Sequence, residues 1–196
     1  MPQYTGYEVK PTHIVPLFVV TGQSGAGKTA VIPALRRRLP ECLVFDVDTL
    51  WWPPGGAEHF YNNWFRLFGE VAQCGRHSVI CGTLMPWNLD RCAERWRVGT
   101  IHYLNLHCSD EVRARRLRAR PAKRNCTEQF IEAQIRGAHR LLEVAHTAFE
   151  PPLVTLDTTA TPVEEVAAAI AQWVLSILGD GVTRAPGSRR NSPDIF

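Results

Sequence analysis

Eight residues constrain this chain more than any others. Gly22-Gln23-Ser24-Gly25-Ala26-Gly27-Lys28-Thr29 is a complete GxxxxGK(S/T) spacing; it follows the apolar run Leu17–Thr21 (LFVVT) and opens a helical pattern at Lys28. Glycines at these places let successive backbone N–H groups curl around phosphate oxygens, and the helix that follows turns its positive end toward the same spot. Lys28 is spaced to reach the β and γ phosphates of a nucleoside triphosphate, and the Thr29 hydroxyl to ligate magnesium. Gly22, Ser24, Gly25, Ala26, Gly27, Lys28, Thr29 and Ala30 are thus the candidate nucleotide-binding residues, with ATP and Mg2+ as the cofactors they call for.

Short β-branched runs alternate with longer helical patterns, which points to an α/β fold on a mostly parallel sheet. Five strands are expected, at Leu17–Thr21, Cys42–Asp46, Ser78–Gly82, Thr100–Leu106 and Leu153–Asp157. Helices are expected over Lys28–Leu39, Ala57–Gln73, Asn88–Arg97, from the Ser109 cap to near Pro121, and from Thr127 to about Phe149. A last helix starts at Thr161-Pro162-Val163-Glu164, which reads as a capping box, and ends near Gly179. Residues 1–178 form one domain in this reading, and 179–196, with no core-facing period, a mobile tail.

The loop specifies a ligand and leaves the reaction open. A guanine-reading NKxD is absent, and the third strand with its exit, VICGTLM, carries no acid to hold a magnesium shell. The second strand, ending Phe45-Asp46-Val47-Asp48-Thr49, can supply one. In an extended segment residues i and i+2 share a face, so Asp46 can serve the metal while Asp48 orients an acceptor hydroxyl and takes its proton. Further on, Arg113, Arg116 and Arg120 recur on one helical face with Arg115 and Arg118 beside them, a lid able to close over transferring phosphate. Phe60, Trp64 and Phe68 repeat like a buried helix face. Trp51 and Trp52 precede a Pro-Pro-Gly-Gly loop and, with Trp64 and Trp87, are the candidates for an aromatic acceptor pocket, with His59, Asn62, Asn63 and Asn88 as polar contacts.

Charge and cysteines narrow the setting. The net charge of +3 makes no case for nucleic acid, although Asp110–Arg124 holds seven basic residues against two acids. Six cysteines, at 42, 74, 81, 92, 108 and 126, form no CxxC pair and read as reduced thiols of a cytoplasmic protein. The longest apolar stretch, Val166–Leu178, is interrupted by Gln172 and Ser176 and is too short to span a bilayer.

GQSGAGKT, DVDTL, RRLRAR and a closing LDTT followed by TPVEEV together resemble the small P-loop kinases, the group that includes shikimate, gluconate and nucleoside monophosphate kinases, over residues 15–178. The resemblance implies a five-stranded parallel sheet flanked by helices with a helical arginine lid. Asp46-Val47-Asp48 looks like shikimate kinase, where the first acid serves magnesium and the second the substrate. Val47–Leu50 is also similar to chloramphenicol phosphotransferase, where an aspartate at that place is the base. The lid and acid-free third strand resemble tunicamycin-resistance ATP-binding proteins. By the same resemblance Arg116 or Arg120 clamps ATP, and the loop from Thr158 to Pro162 lies beside the adenine. Arg66 is the only arginine between the second and third strands before Arg76, so the substrate arginines of adenylate kinases are missing. That favours a neutral hydroxylated small molecule, nucleoside-like or antibiotic, as acceptor. The expected activity is a magnesium-ATP phosphotransferase acting on an alcohol, with Asp48, Lys28 and Arg116 catalytic and Thr29 and Asp46 on the metal. Its rivals are a nucleotide-dependent protein that sequesters a ligand, and an RNA-end kinase using the arginine helix.

Overall fold

Strand β1 (Leu17–Thr21) is buried at all five positions, as an uninterrupted apolar run at the centre of a parallel sheet must be. The computed structural model describes residues 14–50, 56–121 and 126–183. Around β1 lie β2 (Cys42–Asp46), β3 (His77–Cys81), β4 (Ile101–His107) and β5 (Val154–Asp157), all parallel and in the order β2-β3-β1-β4-β5. Chain connections therefore leave β1 in opposite directions, and the crevice at its carboxyl end is where such sheets bind ligands.

Two helical layers cover the sheet. On one face α1 (Lys28–Arg38) and α6 (Val163–Thr183) pack Val31, Leu35, Ile170 and Val174 onto Phe18, Val20 and Leu104. On the other, α2 (Gly56–Gln73) seats Phe60, Trp64, Phe65 and Phe68 against Leu17, Val19 and Ile80. Alternate residues of β1 thus feed alternate cores, the period-two rule of a strand covered on both sides. A third, smaller cluster joins α4 (Asp110–Arg118) to α5 (Glu128–Glu143) through Ala114, Leu117 and Ile131.

Every expected strand is present within a residue of its expected ends, and three helical expectations need correction. Asn88–Arg97 is not one helix: Pro86–Leu89 forms α3, a single turn, and Arg95–Arg97 a separate 3-10 turn. Helix α5 stops at Glu143 rather than near Phe149. The Thr161–Glu164 capping box does not form, because Thr161 donates to the Asp157 carbonyl (3.0 Å) while Glu164 is drawn to Arg37 and Arg38 of the neighbouring α1. Helix α6 runs past Gly179 to Thr183, into the segment expected to be a tail, and residues 184–196 lie outside the described residues. Among the described residues no disulfide joins the cysteines, and no helix is long and apolar enough to cross a membrane.

Tyr103, on β4, is enclosed by Phe149 and its neighbours, and its hydroxyl has no hydrogen-bond partner. A buried hydroxyl without a partner costs stability. Tyr103→Phe should therefore unfold at a thermal midpoint no lower than that of the unmodified chain; a fall of several degrees would show that the hydroxyl is bonded after all.

Candidate active site

The loop from Gly22 to Thr29 joins β1 to α1, and its shape depends on glycines at three bends. Gly22, Gly25 and Gly27 have φ of 137°, 87° and 99°, a region L-residues with side chains rarely adopt. At Gly22 a Cβ would also lie 2.5 Å from the Leu106 carbonyl oxygen of β4.

What holds the loop in place is a set of donors on its carbonyl side. The Gly22 carbonyl accepts from Lys28 Nζ (2.7 Å) and from the Thr83 hydroxyl (3.0 Å). Arg113 Nη1 donates to Ser24 O (2.8 Å), Arg116 Nη1 to Gly25 O (3.2 Å), the Cys108 thiol to Gly25 O (3.7 Å), and the Thr158 hydroxyl to Ala26 O (3.0 Å). Gln23 O takes the amide of Ala26 (3.2 Å) and Lys28 Nζ (3.2 Å). With each of these carbonyls already paired, the amides of Gly25, Gly27, Lys28 and Thr29 have no acceptor among the described residues. They form a ring of donors at a helix N-terminus, an arrangement that binds anions.

Lys28 sits inside this ring, and burial first, then the charges of Arg113 and Arg120, pull its pKa from the ordinary 10.5 down to about 8. A cation held at such cost, beside free amides, fits a polyphosphate. Thr29 and Ala30, exposed at the start of α1, leave the Thr29 hydroxyl open to a metal ion.

The arginine helix packs against the back of the loop. Arg113 is fully buried beneath the loop, and the Cα of Gly25 sits so close to Arg113 Cγ and Leu117 Cγ that a Cβ there would come within 3.2 and 3.3 Å of them. Arg116, expected to act on the nucleotide, spends its other bonds on Thr158, at 3.1 Å to the hydroxyl and 2.7 Å to the carbonyl. Thr158 is itself buried, so it supports the loop from below, whereas Pro162 is exposed at the start of α6. Arg118 is paired with Glu128. Arg120, past the end of α4 and exposed, lies near enough to Lys28 to depress its pKa.

Asp46 and Asp48 differ from the extended pair expected. Residues Val47–Thr49 form a 3-10 turn, begun by the Asp48 amide donating to Asp46 Oδ1 (3.1 Å). The pair still gathers at the sheet's carboxyl edge. Asp48 is close enough to favour the charged form of Lys28, and Asp46, level with Cys81 on β3, helps burial push the Cys81 thiol up to about 12. Gly82 matters here, because a Cβ would overlap Val47.

The aromatic expectations separate. Trp64 is only 2% exposed, stacked on Phe68 with its ring centroid 5.5 Å away, and belongs to the core together with Phe60 and Phe68. Trp87 is 47% exposed and packs edge-on against Phe149. Trp51 and Trp52 lie outside the described residues. Asn62 accepts from the Glu94 amide and Asn63 from Arg66, so both are used within the fold. Sequence reasoning missed Thr83, Cys108 and Gln134, whose contacts with the loop join residues more than sixty positions apart and leave no local signal.

No family model matches the chain, and no curated protein does either. Solved structures do. A sugar kinase from Janibacter sp. superposes with a TM-score of 0.56 at 18% identity, over 84% of this chain and 95% of that one. A gluconokinase from Sinorhizobium meliloti gives 0.54 at 21% identity, over 86% and 95%. The fold is that of the small P-loop kinases. Shikimate kinase from Acinetobacter baumannii, solved with shikimate, shares it too, at a TM-score of 0.51 and 17% identity over 85% of this chain and 96% of that one.

Two outcomes follow from this geometry. Gly82→Ala should cost about 1–3 kcal/mol in urea unfolding, since Val47 must move to admit the methyl group. The lowered pKa of Lys28 means that the unfolded chain binds more protons between pH 8 and 10.5, so the cost of burying the cation is present in full below about 8 and fades as pH rises. Anion binding has the opposite sense, for it needs the charged lysine. Tripolyphosphate affinity measured by calorimetry should fall between pH 7 and 9 by about tenfold. In Lys28→Met that pH dependence should vanish.

Proposed function

We propose that the protein is a magnesium-dependent ATP phosphotransferase acting on a hydroxyl of a small, neutral acceptor. The observation that carries this reading is the loop with its carbonyls already paired and four amides and a strained cation turned inward, on a fold shared with sugar, gluconate and shikimate kinases.

In the proposed reaction the amides of Gly25, Gly27, Lys28 and Thr29 hold the phosphates of ATP, and Lys28 and Arg120 balance the charge that spreads over the γ-phosphoryl oxygens. The acceptor oxygen forms a bond to the γ-phosphorus as the bond to the β-bridging oxygen breaks, and ADP leaves. Asp48, exposed and near Lys28, orients the acceptor hydroxyl and takes its proton. Thr29 and Asp46 are the residues that would hold magnesium, whose bound charge would steady the leaving diphosphate. Arg116 acts one step back, by fixing Gly25 and Thr158 rather than by touching phosphate.

The acceptor reading rests on how the one arginine of α2 is used. Arg66, the one arginine of α2, is paired with Glu94 and so is not offered to an acceptor phosphate. That favours a neutral alcohol, nucleoside-like or antibiotic, over a nucleotide.

The test is mass spectrometry of the protein with magnesium-ATP and a panel of sugars, nucleosides and hydroxylated antibiotics. One acceptor should gain a single phosphoryl group, and Lys28→Met should abolish the product. Asp48→Asn should keep ATP binding while turnover falls by about a hundredfold or more. Unchanged turnover in Asp48→Asn would move the base elsewhere, and nucleotide binding with no product from any acceptor would favour a protein that sequesters its ligand.

A further inference from the structure

Ser24 is gripped from two sides. Arg113 of α4 holds its carbonyl, and Gln134 of α5 accepts its amide proton at 3.0 Å through Oε1. Ser24 is thereby the one amide of the loop's bend that donates to a side chain, while those of Gly25, Gly27, Lys28 and Thr29 stay free among the described residues. One turn further along α5, Gly137 lies so close to the loop that a Cβ on it would meet the Gln23 carboxamide at 2.9 Å. Positions 134 and 137 share a helix face, so α5 rests on the loop along Gln23 and Ser24.

Helix α5 is not free to withdraw. Arg118 forms a two-point pair with Glu128 at its start (2.8 and 2.7 Å), and His139 meets the Asp110 carboxylate at 3.0 Å further along. Both tie it to α4, which is fastened to the loop by Arg113 and Arg116. A change at the loop is therefore answered most cheaply by a side-chain torsion. A glutamine carboxamide carries an acceptor and a donor on arms of nearly the same shape, and its last torsion is a broad two-fold one.

We propose that Gln134 senses the terminal phosphoryl group: it accepts from the Ser24 amide when that group is absent, and turns to donate Nε2–H to it when ATP is bound. This rests on the phosphotransferase reading and adds a residue that distinguishes substrate from product nucleotide. A phosphoryl oxygen only accepts hydrogen bonds. On arrival it takes the Ser24 amide from Oε1, and the turned carboxamide gives it a second donor. After transfer ADP offers no γ oxygen, Gln134 returns to Ser24, and the donor that favoured ATP is gone. Gln134 meets the transferring group directly, without sharing in the proton transfer.

The experiment is calorimetric binding of ADP and of a non-hydrolysable ATP analogue, each with magnesium, to the full chain and to Gln134→Glu and Gln134→Met. A carboxylate still accepts from Ser24 but repels the γ-phosphoryl group and cannot donate. Gln134→Glu should lose about tenfold or more in affinity for the ATP analogue, with ADP affinity little changed. Gln134→Met, close in length and without polar atoms, should lose the preference for the triphosphate by a few-fold while remaining folded. An unchanged ratio of the two affinities in both variants, or an equal fall for both nucleotides, would overturn the inference and leave Gln134 a prop for the loop. If the unmodified chain binds neither nucleotide, the phosphotransferase reading itself fails, a result distinct from a changed ratio.

Discussion

The constraint on which the rest depends is that every peptide group of the phosphate loop has two polar ends, and the fold holds one of them. Thr83 after β3, Cys108 after β4, Arg113 and Arg116 on α4, Thr158 after β5 and Lys28 of the loop itself all donate to carbonyl oxygens between Gly22 and Ala26. Three strand exits and a helix thus converge on five residues. With one end held, the amides face inward without needing a ligand to arrange them, which is the economy of a preorganised site. Fully buried Arg113 is costly to place, and its bonds to Ser24 and Cys108 carbonyls offset part of that cost.

The paired acids at the sheet's carboxyl edge come from the end of the second strand, beside an acid-free exit from the third. After β3 the chain presents Gly82 and Thr83, and Thr83 donates to the Gly22 carbonyl. Gly82 lets Val47 approach, and Asp46 begins the turn that sets Asp48 toward Lys28. Gly82 at the end of β3 thus makes room for the turn that carries Asp46 and Asp48 at the end of β2.

Much of the scaffold was legible in the chain. The five strands are short, largely apolar runs bounded by turns, so their places in the chain could be read from the sequence pattern, and the loop stood out by its spacing. The misreadings share a cause. Arg113, Arg116 and Arg120 do lie on one side of a helical pattern, yet periodicity gives a face and not what that face meets; here it meets the back of the loop, and only Arg120 escapes into solvent. The i and i+2 argument for Asp46 and Asp48 assumed an extended chain, and the hydrogen bond from the Asp48 amide to Asp46 turns it instead. Thr161 had the right neighbours for a cap, but Glu164 found two arginines on α1. Gln134 could not be read at all, since its partner lies 110 residues away and a single glutamine on a helix carries no pattern.

The central claim is that these amides are the phosphate site. The most direct measurement is the backbone 15N–1H spectrum of the chain titrated with magnesium and a non-hydrolysable ATP analogue. The amides of Gly25, Gly27, Lys28 and Thr29 should shift together and gain protection from exchange, while those on the buried strands stay where they are. Nucleotide binding with these four amides unmoved would contradict the account, because it would place the phosphates somewhere other than the ring that the carbonyl contacts hold open.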